Sequence, residues 1–315
     1  MAAPQQLVSA FCTVAGVPGV NKSALKTIDE PQLLEILDRV AKVRAFAGLG
    51  DEWRAYRDHF LPLAGDDEGL RAARHGITDK LADVIRATDA WRAMTDAHAE
   101  PAARDKLPYR DGRRAAAGEV LVSIDITKGN YSTLATFDSS GQLGADWAAL
   151  CAMHDVPPVL ARAKGFRQRV FGRLETAPLQ HCMHTNTVAL MHALEDDLEW
   201  LDAAESRKGS PRVVALSPDE VVVGLGRPSD EARARHSQLM DAIGRVPTKT
   251  PLRITTFRMK RIEHGYVQLV HGDYSADDET VTGAILFGVQ APAVIDMLEE
   301  HVVPAEQGRL STSHS

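Results

Sequence analysis

The stretch RVVALSPDEVVVGLG, Arg212 to Gly226, constrains the fold more than any other part of the chain. Two apolar runs of β-type residues are joined by Ser217, Pro218, Asp219 and Glu220. Proline sets φ for the second position of a type I turn and aspartate suits the third, so these four residues close a tight hairpin. Val213, Ala215, Val221, Val223 and Leu225 would hold that hairpin in a core. Asp219 and Glu220 then stand at the edge of a sheet on a rigid support. EVLVSIDI (119–126) is a further β-type run and ends in another acid, Asp125. PLRITTFRMKRI and GYVQLVHGDY read as additional strands.

The first hundred residues have a different period. In DEPQLLEILDRVAKVRAFAGLG, Leu33, Ile36, Leu37, Val40, Val43 and Phe46 recur every three or four residues. Asp29 is placed to cap that helix, with Gly48 and Gly50 to end it. Trp53, Tyr56 and Phe60 share one face of the next segment, and Leu81, Val84, Ile85 and Trp91 continue the pattern; all read as packing residues. AEPAARDKLPYRDGRRAAAGE (99–119) breaks the period with prolines and glycines and reads as a solvated linker. Its Arg110, Arg113 and Arg114 could meet phosphate. Residues 143–203 are expected to be mainly helical, interrupted at DVPP. APAVIDMLEEHV reads as a last helix and residues 304–315 as a disordered tail. The order of a strand, several helices, a hairpin and further strands points to an α+β fold with an antiparallel sheet.

Totals exclude several classes. The 315 residues suffice for one large or two ordinary domains, and 44% hydrophobic with 25% charged is globular composition. A net charge of −7 advertises neither nucleic acid nor an anionic membrane as a global partner. Three scattered cysteines make no disulfide framework. The N-terminus has no basic residue before Lys22, and no apolar run reaches membrane-spanning length, so a soluble intracellular protein of cytoplasm or nucleus is expected, without a membrane partner.

If the strands carrying Asp125 and Asp219 are neighbours, two carboxylates stand close together. Such a pair repels unless a cation lies between them or one is protonated. Oxygen-only ligands suit Mg²⁺ or Mn²⁺, which bind substrate phosphates. Two ions about 3.5–4 Å apart can stabilise the attacking and leaving oxygens of a phosphoryl displacement. Taken singly, Asp219 is also an ordinary turn former and Asp125 an ordinary helix cap. Between the acids, ARAKGFRQRVFGRLE (161–175) carries Arg162, Lys164, Arg167, Arg169 and Arg173 with no acid before Glu175. Solvated faces usually mix signs, so this stripe stands out in an acidic protein.

In this order the parts resemble the palm and fingers of template-dependent polymerases, closest to family A DNA polymerases. VSIDITKGNYSTL resembles motif A, RQRVFG motif B and LSPDEVVV motif C, over residues 119–226. The resemblance implies a helical N-terminal region (1–110) and a palm-like domain (111–303) with a fingers-like helical insertion at about 143–203. It makes Asp125 and Asp219 metal ligands for two Mg²⁺ or Mn²⁺ ions and Glu220 an accessory catalytic acid. Lys164 and Arg167 would meet the nucleoside triphosphate, Phe171 and Gly172 would border it, and Asn130 and Tyr131 would stand at the sugar-selecting position. The implied activity is metal-dependent nucleotidyl transfer, in its fullest form polymerisation on a DNA or RNA template. The chain departs from the family in having Arg167 where Lys is usual and Ala163 where a basic residue is usual. A non-catalytic binding or assembly protein with the same sheet is the alternative, and the SIDIT strand with its Asp-Glu hairpin also resembles GGDEF-type cyclases, minus their two glycines.

Three other constellations have simpler readings. His181, His184 and His192 fall within an arc of ~80° on one helix face, a spacing compatible with zinc. Glu195 and Glu199 share that face, while Leu179, Met183, Leu190 and Leu194 line the opposite side, so an amphipathic helix accounts for it. GLGRPSD reads as the turn leaving the hairpin, not a phosphate loop. Arg258 and Lys260 alternate on one face of a strand, where nucleic-acid contact competes with plain exposure.

Overall fold

The computed structural model describes residues 3–17, 20, 23–41, 48–63, 67–97, 110, 111, 113, 116–174, 176–201, 211–262, 265–271 and 281–287. The continuation of the second helix through Val43 and Phe46, most of the linker, the APAVIDMLEEHV helix and the tail lie outside these residues. In chain order the helices are α1 (Gln5–Ala15), α2 (Glu30–Val40), α3 (Leu49–Phe60), α4 (Asp67–Ala87) and α5 (Asp89–Ala97). The strands β1 (Arg110–Asp111) and β2 (Val120–Ile126) follow, then α6 (Gly129–Ala135), α7 (Trp147–Met153), α8 (Pro158–Arg162), α9 (Lys164–Gly172) and α10 (Thr176–Asp197). The chain continues through β3 (Arg212–Ser217), β4 (Glu220–Gly226), α11 (Asp230–Arg245), β5 (Leu252–Ile262), β6 (Gly265–His271) and β7 (Val281–Phe287). The fold is α+β with a helical N-terminal region and an antiparallel sheet, as the periodicity indicates. Among the described residues no helix is long and apolar enough to cross a membrane.

Internal contacts divide the chain into two compact units, each discontinuous in sequence. One takes its described residues from 1–86 and 144–174; the other takes its described residues from 87–143 and 175–287. The first is helical. Asp29 caps α2 through a reciprocal box with Gln32, each side chain bonded to the other's backbone N–H. Phe11, Trp53, Tyr56 and Phe60 form its aromatic centre, with ring centroids 4.7–5.5 Å apart along the contacts Phe11–Trp53, Phe11–Tyr56 and Tyr56–Phe60. Glu30 is buried among them without being orphaned. It accepts from the Ala3 N–H at 2.7 Å, Trp53 Nε1 at 3.3 Å and Arg57 at 3.4 Å.

The second unit holds the sheet, in order β1-β3-β4-β2-β5-β6-β7 with every neighbouring pair antiparallel. β2 is central, which explains its almost continuous burial. Leaving β2, the chain returns through α10 to the β3–β4 hairpin; leaving β4, it returns through α11 to β5. Each crossover skips one strand, giving a split β-α-β-β-α-β core. Alternation then separates the faces. Val120, Val122 and Ile124 point to one side, where Leu190, Leu194, Leu239 and Ile243 of α10 and α11 cover them. Leu121, Ser123 and Asp125 point to the other, where Leu121 meets Val222, Phe257 and Ala116. That second face is apolar at one end of β2 and charged at the other.

Candidate functional site

The β3–β4 turn is held from three directions. Ile126 N–H donates to the Asp219 carbonyl at 2.8 Å, tying the turn to the end of β2. Thr187 of α10 donates its hydroxyl to the Pro218 carbonyl at 2.7 Å. Gly129, opening α6, lies so close that an added Cβ would sit 3.3 Å from both Asp219 Cβ and Met183 Sδ. A side chain at 129 would push on the turn; the glycine permits the approach. Pro218 and Asp219 therefore form a fixed two-residue turn, as the sequence predicts.

Three acids lie at this end of the sheet. Asp125 and Glu220 are register partners across the β2–β4 ladder, so their side chains share the second face. Asp219 is the next residue along the turn, and its carboxylate accepts from Ser217 Oγ at 2.9 Å. Burial pushes the Asp125 carboxyl above the usual aspartate range; the Arg253 guanidinium pulls it down, and the Asp219 and Glu220 charges add to the upward push. Asp125 thus feels both neighbouring acids.

Two of them already have cations. Arg253, opposite Asp125 in the β2–β5 ladder, donates to Asp125 Oδ2 at 2.6 Å, with its own side chain two-thirds exposed. Arg113 pairs with Glu220, which also accepts from Ser123 Oγ at 2.6 Å. Arg253 and Ser123 escaped the sequence reading because nothing in PLRITTF or VSIDI reveals strand register. Arg113 stood out there only as a linker cation.

The remaining sequence-predicted residues lie elsewhere. Asn130 and Tyr131 sit on α6 in the same unit as the acids; Tyr131 is buried and its hydroxyl donates to the Leu143 carbonyl at 3.0 Å. Lys164, Arg167, Phe171 and Gly172 belong to α9, in the helical unit. Phe171 is buried against Trp147 at 5.9 Å, so it packs within that unit. His192 meets Glu195 of its own helix at 3.2 Å. A cavity of about 440 Å³ opens in the sheet unit beside Ile126, Cys182, Asn186 and Lys249, but Asp125, Asp219 and Glu220 do not line it.

Among the described residues no group of three His, Cys, Asp or Glu converges to hold a metal. The donor set still suits a hard cation shared with a ligand, since Mg²⁺ is usually bound through one or two carboxylates plus phosphate and water. No protein-family model, curated protein or solved structure compared with this chain matches it.

Proposed function

We propose that the sheet unit carries out metal-dependent nucleotidyl transfer at the end of β2, acting on a nucleoside triphosphate and, in its fullest form, on a DNA or RNA primer. The supporting observation is the carboxylate cluster: Asp125 faces Glu220 across the ladder, with Asp219 on the anchored turn beside them. Asp125 and Asp219 would hold Mg²⁺ or Mn²⁺. The ions would supply charge neutralisation at the phosphates and a lowered pKa at the attacking hydroxyl. Glu220, held by Arg113 and Ser123, adds a negative charge beside Asp125. Arg253 is a cation within reach of any phosphate that competes for it with Asp125. Positioning and electrostatics would supply most of the rate.

The test offers labelled ribo- and deoxyribonucleotides to the purified chain with Mg²⁺ or Mn²⁺, over DNA, RNA and no template. Incorporation should disappear in Asp219→Asn and Asp125→Asn, which nearly preserve volume, and fall less in Glu220→Gln. The Arg253–Asp125 and Arg113–Glu220 ion pairs favour a second reading, a sheet kept for binding or assembly without catalysis. Inactivity across the whole matrix, with no calorimetric metal or triphosphate binding, selects that reading.

A further inference from the structure

The helical unit contains a cleft that the carboxylate site does not use. It has a volume of about 430 Å³ and is walled by α4 and α9, with Arg74, His75 and Thr78 on one side and Phe166, Gln168 and Arg169 on the other; Arg173 closes the rim. Ligand sites commonly span roughly 300–1,000 Å³. Among the described residues no acid lines the cleft.

The cations divide into satisfied and unsatisfied ones. Arg173 is satisfied: its Nε meets Asp79 Oδ1 at 3.0 Å and an amino nitrogen lies 3.3 Å from His75 Nδ1. A guanidinium can only donate, so His75 accepts at Nδ1 and keeps its ring proton on Nε2, where it can serve a further acceptor. Arg74 and Arg169 differ. Among the described residues neither has a carboxylate partner, although Arg169 is half-buried. Burial and the neighbouring Arg74 charge both push the Arg169 guanidinium down from its ordinary range. Two unneutralised cations facing one cleft cost the empty fold stability.

A third unmet donor lies nearby. Tyr56, fully buried in the aromatic centre, has a hydroxyl with no hydrogen-bond partner. Burial raises its pKa while the charges of Arg74 and Arg169 oppose that rise, which puts the phenol within electrostatic reach of both guanidiniums. The Tyr56 hydroxyl can donate or accept, but the two guanidiniums only donate. A negatively charged acceptor in the cleft would answer both of them.

We propose that this cleft is an oxyanion site that takes the phosphate group of a small phosphorylated ligand. The forked guanidiniums of Arg74 and Arg169 match phosphate oxygens in pairs. His75 Nε2 and Gln168 supply further donors. The site does not rest on the nucleotidyl-transfer reading: it uses neither Asp125 nor Asp219, requires no divalent ion, and of the positions assigned from the polymerase resemblance only Gly172 lines it.

The experiment titrates the full-length chain with inorganic pyrophosphate in EDTA, by calorimetry and by thermal shift. Wild-type protein should bind and gain thermal stability. Arg74→Gln and Arg169→Gln should each weaken binding at least tenfold, while Arg169→Lys retains part of it. Arg162→Gln, which removes an exposed cation paired with Glu52 outside the cleft, should leave binding unchanged. Without anion, Arg169→Gln should melt no lower than wild type, because it relieves the like-charge repulsion from Arg74. Asp219→Asn should bind pyrophosphate normally, which separates failure of this site from failure of the carboxylate reading. Inorganic phosphate, pyrophosphate and ATP are then compared: equal affinity means the phosphate alone is read, and tighter ATP binding means that groups beyond the phosphate are also read. Absence of binding in wild type, or binding undiminished in both glutamine variants, overturns the proposal.

Discussion

At the residue scale, the most demanding contact in the sheet is the pair Glu119–Arg212. Its side chains are 2% and 6% exposed and meet at 2.8 and 3.2 Å, a two-pronged contact in the interior. Gly224 makes room for it: a Cβ there would come 2.8 Å from Val214 Cγ2 and 3.4 Å from Glu119 Oε2. An added methyl must displace packed neighbours, at a cost of about 1–3 kcal/mol. Removing one charge of the pair is worse, because the other stays buried without compensation. Arg212→Met is expected to destabilise the protein by about 3–5 kcal/mol in urea unfolding, and Arg212→Met with Glu119→Leu to recover most of that loss. Equal losses in the single and double variants would show that the pair's charges are not what matters.

At the element scale, the junction of α11 with β5 carries a pH response. His236 of α11 reaches Thr256 of β5 through Nε2 at 2.9 Å, and burial lowers the imidazole below its ordinary value of 6.5. A depressed pKa means the folded state prefers the neutral ring. Its contribution is fully present above the unfolded value and is lost as pH falls through and below about 6.5, where the unfolded chain takes up the proton first. Wild-type protein should therefore lose urea midpoint between pH 7.5 and pH 5, and His236→Gln should lose less over the same interval. A parallel decline in both would assign the response to other groups.

At the scale of the whole molecule, two cores share one chain that passes between them repeatedly. The helical unit is built around Phe11, Trp53, Tyr56 and Phe60, and the sheet unit around Val122, Ile124, Leu194 and Val223. Unfolding is expected to depart from a single cooperative step, with a calorimetric enthalpy exceeding the van't Hoff enthalpy. A ratio of one would mean that the units unfold as a single body.

Much of this architecture was legible in the residues. Local chemistry determined the Asp29 cap, the Pro218-Asp219 turn, the helix faces of α3 and α10 and the β-type runs of β2 to β6, because caps, turns and periodicity depend on residues a few positions apart. The hydrophobic period also set the α+β class. What residues far apart in sequence do to one another was decided only on folding. Strand register put Glu220, not the turn residue Asp219, directly opposite Asp125, and brought Arg253 onto Asp125 across 128 positions. The same long-range closure assigned the cationic helix α9 to the helical unit and the acids to the sheet unit. It also set Arg74 of α4 beside Arg169 of α9. A local pattern specifies which face of an element is apolar, but not which apolar face it will meet, since many faces of similar size and hydrophobicity compete for the same partner. That choice belongs to the packing of the whole chain.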